Sequence, residues 1–203
     1  MTLPCRLQWW TIPALALLLA AGCAVRPPAA PEAGRIVAVE AWDAPSAPDA
    51  WAFSGRTSLR LGGEGATASV SWAQAESGYR IDLRGALGAG SLRLIGDEAG
   101  VRLTTADGAR YQADNPRELV RAITGYDLPV GFLRHWVTAN PVPWLGGRVT
   151  LDADGRPRQL QQNGWRVTFD GFSSVADHRL PGRIAVEHDD MAVRLVIGEW
   201  RLP

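Results

Sequence analysis

FSGRTSLRLGGEGATASVSWAQAESGYRIDLR, residues 53–84, decides the fold. Apolar and polar side chains alternate along it with a period of two, the pattern of a strand with one buried face. In 53–61 the alternation runs through Phe53, Thr57, Leu59 and Leu61. In 66–74 it places Ala66, Ala68, Val70 and Trp72 on one face. In 79–84 Tyr79, Ile81 and Leu83 stand opposite Arg80, Asp82 and Arg84. Gly62-Gly63 supplies a natural reversal between the first two strands.

The same rhythm continues at 91–96, 100–105 and 109–113, with Asp107-Gly108 as a further turn. Then the period changes. Asn115-Pro116-Arg117-Glu118 is a helix start, with a capping Asn, Pro at the first helical position and Glu soon after. Leu119, Val120 and Ile123 form its apolar stripe, and Gly125 ends it. A second helix is predicted from Pro129 to Thr138, with Phe132, Leu133 and Trp136 on one side. Strands resume at 148–152, 156–162 and 165–170, turning at Asp154-Gly155 and Asn163-Gly164. A last hairpin pairs 183–188 with 191–197 across Asp189-Asp190. Short connections make the strands mainly antiparallel. The predicted fold is mainly β with two inserted helices: a strongly curved sheet or an incomplete antiparallel β-barrel, its open side covered by the helices. Small residues in the strands, Gly55, Ala66, Ala68 and Ala86, permit curvature and leave interior space.

The N-terminus reads as an export signal. Arg6 gives the early positive charge, and Thr11 to Ala21 is apolar. That run is shorter than the ~20 apolar residues a spanning helix needs and fits a cleaved segment. Ala20-Ala21-Gly22 precede Cys23, and small residues followed by cysteine resemble a lipobox. With Cys5 lost in the signal, Cys23 has no intrachain disulfide partner. Lipidation of Cys23 would remove an exposed thiol from an oxidising compartment and anchor the chain firmly by several acyl chains. Ala24 follows, where lipoproteins kept in the inner membrane commonly carry Asp; by that rule of the lipoprotein class the destination is the outer membrane. Residues 24–50 are rich in Pro and Ala, a composition that forms no core of its own. The expected organisation is therefore 1–22 signal, 23–50 lipidated cysteine and flexible tether, and 51–203 folded domain. Ile36 to Trp42 is expected to form a short helix.

Composition limits the chemistry. The formal net charge is zero and no basic stripe argues for nucleic acid. His135, His178 and His188 show no metal-ligand spacing with one another or with Cys. His178 is read as a loop residue and His135 as a partly exposed helix residue. No nucleophile motif and no phosphate-cradling glycine loop is found, so neither catalysis nor a cofactor or metal is expected. The mature chain instead keeps Trp42, Trp51, Trp72, Trp136, Trp144, Trp165 and Trp200. Each alone is ordinary core filling; together, around a curved sheet, they also suit an apolar cavity. In the loop 85–90, GALGAG, Leu87 has only small neighbours. It either folds back onto the core or forms an apolar tip aimed at a membrane or lipid.

Several short stretches, in order, resemble the outer-membrane lipoprotein receptor LolB family. They are Trp72-Ala73-Gln74, then Tyr79 to Leu83 leading into Ala86-Leu87-Gly88, Gly125 to Val130 (GYDLPV), and Leu133 to Val137 (LRHWV). Further on come Gln161 to Val167 (QQNGWRV), Leu180-Pro181 and Ile197-Gly198-Glu199-Trp200. The resemblance runs from about Trp51 to the end. It implies an unclosed antiparallel barrel with an apolar cavity lidded by helices. It further implies a monomeric receptor that takes client lipoproteins from the periplasmic carrier LolA and inserts them into the outer membrane. Leu87 matches the protruding leucine of the family's Pro-Leu-Gly loop, with Ala86 in place of the proline. Acyl-chain contacts are expected from Val70, Trp72, Ile81, Leu83, Leu92, Leu94, Phe132 and Trp136. The alternative is an outer-membrane lipoprotein that scaffolds another envelope complex, for which a polar concave face is expected.

Overall fold

Among the described residues an antiparallel sheet of twelve strands organises the fold. The computed structural model describes residues 34–85 and 90–203. In chain order the strands are β1 (Arg35–Ala38), β2 (Trp51–Leu61), β3 (Glu64–Ala75), β4 (Gly78–Arg84), β5 (Ser91–Asp97), β6 (Gly100–Thr105) and β7 (Arg110–Ala113). Two helices follow, α1 (Pro116–Thr124) and α2 (Val130–Trp136). Then come β8 (Gly147–Leu151), β9 (Pro157–Gln162), β10 (Trp165–Asp170), β11 (Ser173–Val175), β12 (His178–Leu180), β13 (Arg183–His188) and β14 (Met191–Arg201). The spatial order is β1-β8-β9-β10-β13-β14-β2-β3-β4-β5-β6-β7, with β11 and β12 forming a separate hairpin. Among the described residues the end strands β1 and β7 do not pair with each other, so the sheet is not closed.

The long strand β2 is the seam: its whole length pairs with β3 on one side, and Ala52 to Leu61 pair with β14 on the other. Between Ile197 and Glu199 the register of β14 shifts, a bulge that bends the strand. Gly55 faces that bulge. A Cβ at this position would lie 2.2 Å from the Val196 carbonyl oxygen, so only glycine allows the approach. Around it Trp51, Phe53, Trp72 and Trp200 form a continuous aromatic cluster with ring centroids 5.3–6.1 Å apart. Such tilted and edge-on pairs stabilise the packing beyond simple area burial.

The helix start behaves as its sequence demands. The Asn115 side chain accepts the Arg117 N–H at 2.9 Å and Pro116 opens the helix. Gly125 closes it in the left-handed conformation, φ 76°. Leu119 and Val120 are buried against β6, β7 and α2. An ion pair from Arg117 to Asp127, 2.5 and 2.6 Å, fastens the start of α1 to the connection leading into α2. The second helix is shorter than the sequence suggested, because Thr138 turns back onto the His135 carbonyl and Ala139 takes a positive φ of 61°.

Two expectations are corrected. Ile36 to Trp42 is not a helix: Arg35–Ala38 pairs with Leu151–Arg148 as an edge strand, and only Val39–Ala41 makes one 3₁₀ turn. The β-branched pair Ile36-Val37 suits a strand, and β8 had an open edge to offer. The following segment is also held, since Asn140 donates to the Pro45 carbonyl at 2.6 Å and His178 lies 3.2 Å from the Ser46 carbonyl. These contacts tie residues 35–38, 45 and 46 to the rest of the domain. His178, read as a loop residue, opens strand β12.

Candidate functional site

The concave face of β14 and β2 to β6 is the hollow part of the molecule. Alternation turns Thr57, Leu59, Ala68, Val70, Trp72, Ile81, Leu83, Leu92, Leu94, Leu103, Val193 and Leu195 toward a cavity of about 160 Å³. Its roof is the helical insertion: Val120 and Thr124 from α1, Tyr126 and Leu128 from the connection, Val130 and Leu133 from α2. The walls are almost wholly hydrocarbon. The size is close to the ~150 Å³ apolar cavity that stays dry and takes one benzene. Leu83 and Leu92 are only half-buried. Small side chains at Ala66 and Ala68 leave the space that a larger residue would fill.

Six of the eight expected contact residues line this cavity: Val70, Trp72, Ile81, Leu83, Leu92 and Leu94. The other two do not. Phe132 turns to a neighbouring hollow of about 190 Å³. Trp136 is fully buried on the other side of α2, where its ring packs 6.1 Å from Trp165 and its Nε1–H donates to Gln162 Oε1 at 3.1 Å. Phe132 adjoins Leu133 in the chain, and the turn of ~100° per helical residue sends the two side chains to different neighbours. Strands β2, β6 and β14 contribute Leu59, Leu103, Val193 and Leu195, which share the buried parity of Val70 across the register. The same alternation that marked 66–84 could have found them. Tyr126 and Leu128 carried no periodic signal, because they sit in a connection.

Cys23 and Leu87 lie outside the described residues. The frame of the Leu87 loop is nevertheless defined: Arg84 pairs with Ser91, and the Gly85 N–H donates to the Gly90 carbonyl at 2.6 Å. On the outer face beneath it, Asp82 binds Arg80 and Arg93 at 2.6 Å each. Partial burial raises the Asp82 carboxyl, but hydrogen bonds from both arginines win and hold it below the usual range. At the other edge of the roof His135 is pushed down to about 4, by burial first and by Arg134 second. It is therefore neutral at pH 7, able to accept the Arg134 Nε–H at 3.1 Å and to pack edge-on against Trp144. Among the described residues no group of three or more His, Cys, Asp or Glu side chains could hold a metal, and no helix is long and apolar enough to cross a membrane.

Residues 49–200 match the family model described as outer membrane lipoprotein LolB. The outer-membrane lipoprotein LolB of Alkalilimnicola ehrlichii is 40% identical over 153 residues, 75% of this chain and 76% of that one. Its counterpart in Pseudomonas aeruginosa is 37% identical over 153 residues, 75% of each. Among solved structures, a domain described as an outer membrane lipoprotein-sorting protein from Vibrio parahaemolyticus is similar with a TM-score of 0.53. It shares 12% identity over 75% of this chain and 84% of that one, a likeness of fold.

Proposed function

Because the chain belongs to the outer membrane lipoprotein LolB family, we propose that it is a receptor for lipoproteins on the periplasmic face of the outer membrane. In this reading Cys23 carries the lipid anchor, and the monomer accepts clients from the soluble carrier LolA. The carrying observation is the apolar cavity between sheet and helices. A scaffold would be favoured by a polar concave face, and this one is hydrocarbon. The function is binding and transfer, with no bond made or broken.

Acyl chains cannot cross water unescorted. Each CH₂ exposed costs ~0.8 kcal/mol, so three long chains would cost on the order of 30 kcal/mol. A cavity of about 160 Å³ holds only part of such a load. Loading therefore requires α1 and the connection into α2 to lift from the sheet, which extends the same apolar surface rather than creating a new one. Apolar contacts dominate there, since this part of the roof meets the sheet through Val120, Tyr126 and Leu128. With no nucleotide to drive it, transfer runs downhill, from carrier to receptor to bilayer.

Saturable binding of a fluorescent fatty acid by the Cys23→Ser chain is expected, and absence of binding would remove the receptor reading. Replacing Leu87 with Glu should leave binding and carrier-to-receptor transfer intact while client lipoproteins fail to enter the outer membrane. Normal incorporation by that variant would take the membrane role away from Leu87.

A further inference from the structure

The apolar cavity does not end at Trp72. Trp72 and Val130 also line the second hollow, so the two spaces meet there. The second space is walled further by Tyr79, Phe132, Arg134 and Trp144. Its chemistry differs from that of the first. Trp72 is only 4% exposed, yet its Nε1–H has no partner within the protein. The Tyr79 hydroxyl and Gln74 Oε1, one register step along the same strand pair, are buried and equally unpartnered. Buried polar groups are nearly always hydrogen-bonded, so three orphans on one face of one strand pair call for an explanation.

The donors are held in place. Tyr79 lies flat across β5, where a Cβ at Gly96 would come within 2.6 Å of its hydroxyl oxygen. Burial pushes the Tyr79 hydroxyl up to about 12, against the pull of Arg134, so it stays a neutral donor. Trp144, 63% exposed, forms the outer wall, and Arg134 makes no ion pair among the described residues. The hollow thus offers two neutral donors, the Trp72 Nε1–H and the Tyr79 hydroxyl, and a single cation.

We propose that this hollow is the subsite for the ester carbonyl oxygens at the head of a client's acylated cysteine, its chains passing Trp72 into the apolar cavity. The assignment rests on the receptor reading and deepens it. An acylated cysteine presents ester carbonyls beside long chains. Neutral acceptors suit neutral donors. A phosphate headgroup would call for more than one cation. Any water on these donors would be displaced by groups that reproduce its hydrogen bonds.

The test uses the full chain carrying Cys23→Ser, with and without Tyr79→Phe. Two probes are compared: a triacylated cysteinyl peptide with ester-linked glyceryl chains, and its ether-linked analogue, which lacks the ester carbonyls. The expected result is that Tyr79→Phe binds the ester probe roughly five-fold more weakly, the size of one neutral hydrogen bond. Ether-probe affinity should not change, and the melting temperature should not fall, because an unpaired hydroxyl is being removed. Equal affinity of both proteins for the ester probe, or equal weakening of both probes, overturns the subsite while leaving the receptor reading intact. Failure of the chain that keeps Tyr79 to bind either probe overturns both. Phosphatidylethanolamine competing as well as the ester peptide would assign the subsite to diacyl lipids at large and overturn the choice of client.

Discussion

Gln162 and Tyr79 are both polar residues turned into the same sheet's interior, and their situations are opposite. Gln162 is 1% exposed and every hydrogen-bonding group on its side chain is used. Its Oε1 accepts from Trp136 Nε1–H and the Val142 N–H, at 3.1 and 2.9 Å. Its Nε2 donates to the Val142 and Leu145 carbonyls, at 3.1 and 2.6 Å. Around it Val149, Leu160, Val167 and Val186 are 0–1% exposed. In the β2–β6 half, by contrast, Trp72, Gln74 and Tyr79 keep unpartnered polar atoms, and Leu83 and Leu92 border empty space. One half is finished by its own residues and the other is not. That division separates scaffold from site: the filled half fixes α2 from one side, so its other side can face a cavity.

The largest effect is expected at the polar knot. Gln162→Leu keeps the volume but strands the Trp136 indole, the Val142 amide and two carbonyls. Each buried group left without a partner costs ~1–3 kcal/mol, so the loss in urea unfolding should be on the order of 3 kcal/mol or more. A loss near zero would mean that the filled half is not held as described. Lipid affinity per folded molecule should drop as well, because α2 loses its fixed side.

A matched pair sharpens the contrast at intermediate size. Leu160→Ala opens a cavity in close-packed surroundings and should cost about 3 kcal/mol. Leu92→Ala removes the same atoms from a half-buried wall that already faces open space, and should cost about 1 kcal/mol or less. Fatty-acid binding should respond in the reverse order, changed by Leu92→Ala and unchanged by Leu160→Ala. Equal costs at the two sites would dissolve the distinction between the halves.

How legible this was depends on how each signal is encoded. Most strand and helix identities from Phe53 onward follow from alternation and from the Asn115-Pro116 cap, because these are local; the short hairpin of β11 and β12 has too few residues to alternate and was not read. The apolar wall of β3 to β5 followed too, since parity alone selects Val70, Ile81 and Leu94. Strand β1 was hidden, because its partner β8 lies more than a hundred residues away and its neighbours are Pro and Ala. The fates of Phe132 and Trp136 were hidden for a different reason. A helix between two interiors has two apolar sides, and only the packing tells which residue serves which. Gln162 carries no local mark of its role, which depends on Trp136 and Val142, and no spacing rule connects these to it.

His135 sits on the helix shared by both halves and gives the smallest effect. Its folded pKa, about 4, lies below the ordinary 6.5, chiefly through burial. As pH falls through 6.5 the unfolded chain takes up a proton that the folded one refuses until about pH 4. Stability that is fully present above pH 6.5 is therefore lost progressively across that window. The paired carboxylates do not mask this: Asp82, Asp127, Asp152 and Asp170 are all held below 3.8, so their contributions fade only below the window. Urea midpoints at pH 7 and pH 5 should thus differ more for the natural chain than for His135→Gln. If the two differences are equal, His135 is as free to protonate in the fold as out of it. The rim of α2 beside Trp144 would then be wet rather than packed, and the boundary between the two halves would have to be drawn through the helix instead of beside it.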